Sequence, residues 1–199
     1  MKFKAILSLL ACFCLAAPAA AQQWSAKEVV KPYNVTGASG IELYRSIGEN
    51  GPSTGSGSRA IALTTWDLKW RRDYRPQADG SCKLMSAIPF LTITYTLPKA
   101  PGRLSEPTAG RWKIFVDGIA AHEKVHGEML RDLVDEVLRT TVGLTAPGDA
   151  KCQKIRKQIE APLIAARDGY RARSRAFDQA EMSDGGNVQR LIMALVEGR

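Results

Sequence analysis

The stretch from Thr108 to Thr140 constrains this chain more than any other, because Trp112, Phe115, Ile119, His122, His126, Met129, Leu133 and Val137 recur there at three- and four-residue spacing. That period predicts one long helix with a single buried stripe. The only two histidines of the chain both lie on the stripe, so their imidazoles are expected to point into the protein. They stand four apart, with a glutamate directly after the first, in the order His122-Glu123-Lys124-Val125-His126.

Residues four apart on a helix are offset by about 40° and one turn, so two imidazoles can meet one zinc ion. A catalytic zinc takes three protein ligands and keeps one position for water. A glutamate in the slot after the first histidine can sit beside that water, take its proton and pass it to a leaving amine. The spacing therefore predicts a zinc hydrolase with His122 and His126 as metal ligands and Glu123 as the catalytic base. The plain alternative is a pair of core histidines bonded to neighbouring carbonyls. Gly118 and Gly127 lie inside the same helix, each at a cost of about 1 kcal/mol relative to alanine. They are expected either to admit a neighbouring backbone or to allow close helix packing.

The N-terminus reads as an export signal: Lys2 and Lys4, an apolar run from Ala5 to Ala17, then Pro18-Ala19-Ala20-Ala21. Cleavage near Ala21 is expected, giving a secreted or periplasmic protein with no transmembrane segment in its mature form. Removing 21 of the 199 residues leaves 178, enough for a single domain over residues 22–199. Of the four cysteines, Cys12 and Cys14 leave with the signal, and in an oxidising compartment Cys82 and Cys152 are expected to pair. The net charge of +8 falls to +6 as Lys2 and Lys4 leave. Basic residues concentrate at Lys69–Arg75 and Lys151–Arg175, which suggests weak association with anionic envelope polymers. The Arg-Ala alternation at 171–175 reads as a solvated helix face, and no nucleic-acid partner is expected.

Along the rest of the chain, Trp24 to Val35 reads as extended. Ser39 and Glu42 form a capping box for a short helix with Ile41, Tyr44 and Ile47 as its buried stripe. A Gly- and Ser-rich loop follows at 51–58. Trp66, Leu68 and Trp70 alternate with polar residues in a strand reaching Tyr74, and Leu91, Ile93, Tyr95 and Leu97 alternate with threonines in another. Asp79-Gly80 turns between them, so an antiparallel hairpin is expected, with Pro89 at a bulge or an edge. A second long helix starts near Lys151, with Ile155, Ile159 and Leu163 inward and a kink or break at Pro162.

The third zinc ligand is not written in the helix. With no histidine left and the cysteines expected to pair, it should be an acid. Asp132 would be turned away by a continuing helix, which leaves Glu160, Asp168, Asp178, Glu181 and Asp184 as candidates.

The chain also resembles the bacterial family of secreted zinc-dependent proteases known only by prediction, domain of unknown function 922. The resemblance rests on Tyr33-Asn34-Val35-Thr36-Gly37, Trp66-Asp67-Leu68-Lys69-Trp70, Gly80-Ser81-Cys82, Leu97-Pro98, Trp112 ahead of the histidine motif, and Cys152. Proteins of that pattern tend to finish with an aromatic-aspartate pair and then a His-Gly pair. This chain has Phe177-Asp178 and then Ser183-Asp184-Gly185-Gly186, without the histidine. The resemblance thus implies Asp178 as the third zinc ligand, with Asp184 and Glu181 behind it.

The expected fold is α+β: an antiparallel sheet packed on a long zinc-binding helix and closed by a C-terminal helix, zincin-like in plan. The expected function is peptide hydrolysis by a zinc-activated water, with a peptide or protein as substrate. Substrate would lie along an edge strand between Leu91 and Leu97, with Tyr170 or a nearby arginine facing the oxyanion, the plainer alternative being that Tyr170 is a structural tyrosine. A non-catalytic zinc-stabilised envelope module and a hydrolase of a cell-wall amide are the alternatives.

Overall fold

The computed structural model describes residues 24–55, 57–100 and 102–197. The expected signal peptide lies outside the described residues. In chain order the elements are β1 (Lys27–Asn34), α1 (Gly40–Asn50), β2 (Leu63–Pro76), β3 (Cys82–Lys99), α2 (Thr108–Thr141), β4 (Thr145–Ala146), α3 (Lys154–Gln158), α4 (Glu160–Met182) and α5 (Asn187–Glu197). The long helix and the β2–β3 hairpin are where the periodicities put them. The Ser39–Glu42 capping box is formed, with Ser39 accepting from the Glu42 amide and the Glu42 carboxylate accepting from the Ser39 amide.

The sheet departs from expectation in two ways. It is mixed rather than antiparallel: β1 runs parallel to β3, pairing Lys27 with Thr92 through Asn34 with Lys99, while β2 pairs β3 antiparallel. The order is therefore β1-β3-β2, and the stretch Leu91–Leu97, expected at an edge, lies in the central strand. Alternation along a strand reports which face is buried, and it says nothing about which strands flank it. Pro89 sits in the part of β3 that β1 does not reach, where a missing amide breaks no ladder on that side. The register shift falls instead at Asp73/Tyr74.

Three apolar clusters hold the layers together. Leu130, Leu133, Val134 and Val137 of α2 pack on Leu91, Ile93 and Tyr95 of β3, with Ala166 of α4 in the same cluster. At the other end of α2, Phe115 and Ile119 meet Leu43 and Ile47 of α1 and Val188 and Leu195 of α5. Between these two clusters the inward face of α2 is taken by His122, Glu123 and His126, all buried. The helix thus carries a polar seam between two dry cores. The third cluster surrounds the Cys82–Cys152 disulfide, which ties the start of β3 to the approach to α3.

Smaller corrections follow from packing. Ile41 is 46% exposed, because α1 turns Leu43, Ser46 and Ile47 inward. The helix expected from Lys151 is divided at Ile159 into α3 and α4, since the Pro162 ring removes the donor that would reach Gln158 and fits only the first turn of a new helix. Helix α5 was not expected, although Val188, Leu191, Ile192 and Leu195 carry the spacing of a buried face.

Gly118 and Gly127 serve side-chain packing rather than backbone approach. A Cβ on Gly118 would lie 2.4 Å from Leu191 Cδ1 of α5. One on Gly127 would lie 2.1 Å from the Tyr95 hydroxyl oxygen. Tyr95 cannot easily retreat, being buried and donating to Glu28 Oε1 at 2.9 Å. Gly127→Ala gains up to about 1 kcal/mol of helix propensity, while overpacking costs about 1–3 kcal/mol. The expected result is a net loss of stability of the order of 1 kcal/mol in denaturant unfolding, and a stabilised variant would contradict this packing.

Candidate metal centre

Two helices build the site. From α2 come His122, Glu123 and His126; from α4 come Ser174, Phe177, Asp178 and Glu181, which share one face at three- and four-residue spacing. His126 Nε2 lies 2.8 Å from Asp178 Oδ1, His122 Nε2 lies 3.3 Å from the same oxygen, and the two Nε2 atoms are 3.2 Å apart. Among the described residues His122, His126 and Asp178 form a group that could hold a metal ion. Neither Glu160, Asp168, Asp184 nor Asp132 belongs to that group. Asp168 instead pairs with Arg167 on the surface, and Asp132 lines a separate groove between α2 and α4.

The donor set fits a small tetrahedral cation. Ligands at about 2.0–2.1 Å from such an ion stand roughly 3.3 Å from one another. Two edges of this triangle, at 3.2 and 3.3 Å, match that spacing, while the 2.8 Å edge from His126 Nε2 to Asp178 Oδ1 is a hydrogen bond that would open as an ion entered. Two buried imidazole nitrogens directed at each other across 3.2 Å also repel unless a proton or a cation lies between them. The outer nitrogens are treated differently. His126 Nδ1 is 3.1 Å from Ser174 Oγ, which fixes the ring. His122 Nδ1 is buried with no hydrogen-bond partner among the described residues, and Glu181 Oε2 stands 3.6 Å away, just beyond reach. Phe177 stacks on the His122 ring, with centroids 4.7 Å apart.

Glu123 is not one of the three convergent groups. Its carboxylate accepts a 2.5 Å hydrogen bond from the Thr64 hydroxyl at the start of β2. Burial pushes the Glu123 carboxyl above its ordinary range, against the opposing pull of the Thr64 bond and the two imidazoles. The half-exposed Asp178 goes the other way: burial would raise it, but hydrogen bonds from His122 and His126 and their charges hold it far below the usual carboxylate range. Burial alone would lower His122, yet Asp178 and Glu123 together raise it. The two acids therefore differ in character, Asp178 a fixed anion and Glu123 a carboxylate readier to take a proton.

The site opens into a cleft of about 460 Å³ whose walls include Leu63, Thr64, Ile119, Tyr170 and Ser174. Tyr170 lines this cleft and also packs on the apolar cluster of α2 and β3, with its hydroxyl pushed up by burial. Thr64 and Ser174 carry no local signature of function. Ser174 stands one turn before Asp178 on the same helix, whereas Thr64 reaches Glu123 only because β2 lies across from α2.

No curated protein and no solved structure matches this sequence. A family model does match over residues 30–186, a span that includes β1 from Val30, the sheet, both histidines, the disulfide and Asp178. The chain belongs to the family described as bacterial protein of unknown function (DUF922).

Proposed function

We propose that the protein is an exported zinc-dependent peptidase. The observation that carries the reading is the convergence of His122 Nε2, His126 Nε2 and Asp178 Oδ1 beside a separate, buried carboxylate. A purely structural metal site has no use for that fourth group, held off the convergence point by Thr64. Zinc is the favoured ion because two imidazoles and one carboxylate are a ligand set that suits it. When bound, zinc would supply an acidified water and a polarised substrate carbonyl.

The chain's own residues do the rest. Glu123 accepts the proton as the new C–O bond forms at the scissile carbonyl, and returns it to the amide nitrogen as the C–N bond breaks. Burial, which raises its pKa, suits a group that must both take and give a proton. Ser174 holds His126 in one orientation, and Phe177 holds His122. Tyr170 is placed in the cleft to face the developing oxyanion.

Strand β2, not Leu91–Leu97, is the sheet edge beside this cleft, since β3 is its one partner among the described strands. Extended peptide laid along that edge gains backbone hydrogen bonds and passes Thr64 and Glu123. Export is supported by the basic-then-apolar N-terminus and by the Cys82–Cys152 disulfide. Among the described residues no helix is long and apolar enough to cross a membrane.

The test is metal removal and return. Purified protein incubated with a diverse peptide library should cleave when zinc-loaded, stop after chelation, and recover on adding zinc. Cleavage that survives complete stripping would contradict the reading.

A further inference from the structure

We propose that Trp66 selects the substrate: it contacts a bulky apolar side chain of a polypeptide extended along the open edge of β2. This inference rests on the peptidase reading and adds the class of residue recognised. Three placements carry it. Trp66 pairs with Ile93, which is fully buried, so its indole stands on the face of the sheet that looks toward α2 and α4. On that face its neighbours along the strand are Thr64, which touches Glu123, and Leu68, which packs in the cluster that includes Tyr170. Leu68 and Trp70 are covered there, yet Trp66 remains 42% exposed.

The indole is therefore left uncovered between the end of the apolar cluster and the start of the cleft. A tryptophan there presents a large flat apolar surface beside the outer side of β2, which pairs with no other described strand. The occupant that satisfies both is an extended polypeptide, whose main chain pairs with the edge. Its residue opposite Trp66 then projects to the same face as the indole, at cross-strand distance. Because side chains alternate, this residue stands two positions from the one opposite Thr64, so selection is expected at one subsite near the scissile bond. The outward-facing residues of β2, Thr65, Asp67 and Lys69, are polar and offer no comparable apolar surface.

The test uses the full zinc-loaded protein and a proteome-derived peptide library, with cleavage sites read by mass spectrometry. Native protein should enrich aromatic and large aliphatic residues at one subsite. Trp66→Ala should lower that enrichment about 2- to 10-fold, as loss of one aromatic contact implies, while retaining zinc and native unfolding behaviour. Trp66→Phe should keep it, and Trp66→Arg should turn the preference toward acidic residues at the same position. Cleavage with an unchanged profile in Trp66→Ala and Trp66→Arg would overturn this role and leave the peptidase reading standing. Absence of cleavage by the native zinc-loaded protein would overturn both.

Discussion

Glu123→Gln is expected to bind zinc as the native protein does and to cleave peptides about 100- to 10,000-fold more slowly, the range lost with a general acid–base group. The substitution preserves shape, and the Thr64 hydroxyl can still donate to the side-chain oxygen that replaces Oε2. Glu123 does not sit among the convergent atoms of His122, His126 and Asp178, so metal affinity has no reason to fall. What disappears is a buried site able to take a proton and give it back. Zinc affinity by competition with a chromogenic chelator, measured beside peptide turnover, separates the two quantities. Undiminished turnover would remove Glu123 as the base, and lost zinc binding would show that it helps to hold the ion.

Loss of the disulfide should be the most damaging change to stability. Cys82 and Cys152 close a loop of sequence separation 70, and loop-closure entropy assigns about 4 kcal/mol to such a constraint. Against the 5–15 kcal/mol typical of a whole domain, that is a large share. The bond also bears on the site. It fixes the approach to α3 against β3, and α3 leads directly into α4, which carries Ser174 and Asp178. Cys82→Ala/Cys152→Ala should therefore unfold at markedly lower denaturant with little change in slope. A loss under about 1 kcal/mol would mean that the unfolded chain is already restrained in this region.

The sequence made one half of the site plain and hid the other. On α2 the histidines, the glutamate and the apolar stripe belong to one helical period, so a single rule covers them all. Asp178 is different in kind: an acid on an arginine-rich helix is usually a surface group, and only resemblance to a family pattern distinguished it from Glu181 and Asp184. Its convergence with the histidines depends on how α4 packs on α2, which no local spacing encodes. The same holds for the sheet. The hairpin could be read from two alternating strands, but the insertion of β1 alongside β3 is a choice of partner, and it moved the free edge from Leu91–Leu97 to β2. Thr64 follows from that topology, since a threonine at the start of a strand looks the same whether or not a helix carboxylate waits across from it.

His122, His126 and Asp178 are expected to hold one zinc ion with room left for chemistry. Anomalous diffraction at the zinc edge from zinc-soaked crystals would locate the ion. The expected result is a single peak in contact with His122 Nε2, His126 Nε2 and Asp178, with its remaining position open to the cleft beside Glu123. No peak at this triangle would rule out the metal site, and one whose remaining position is closed by a protein side chain such as Glu181 would rule out zinc catalysis there.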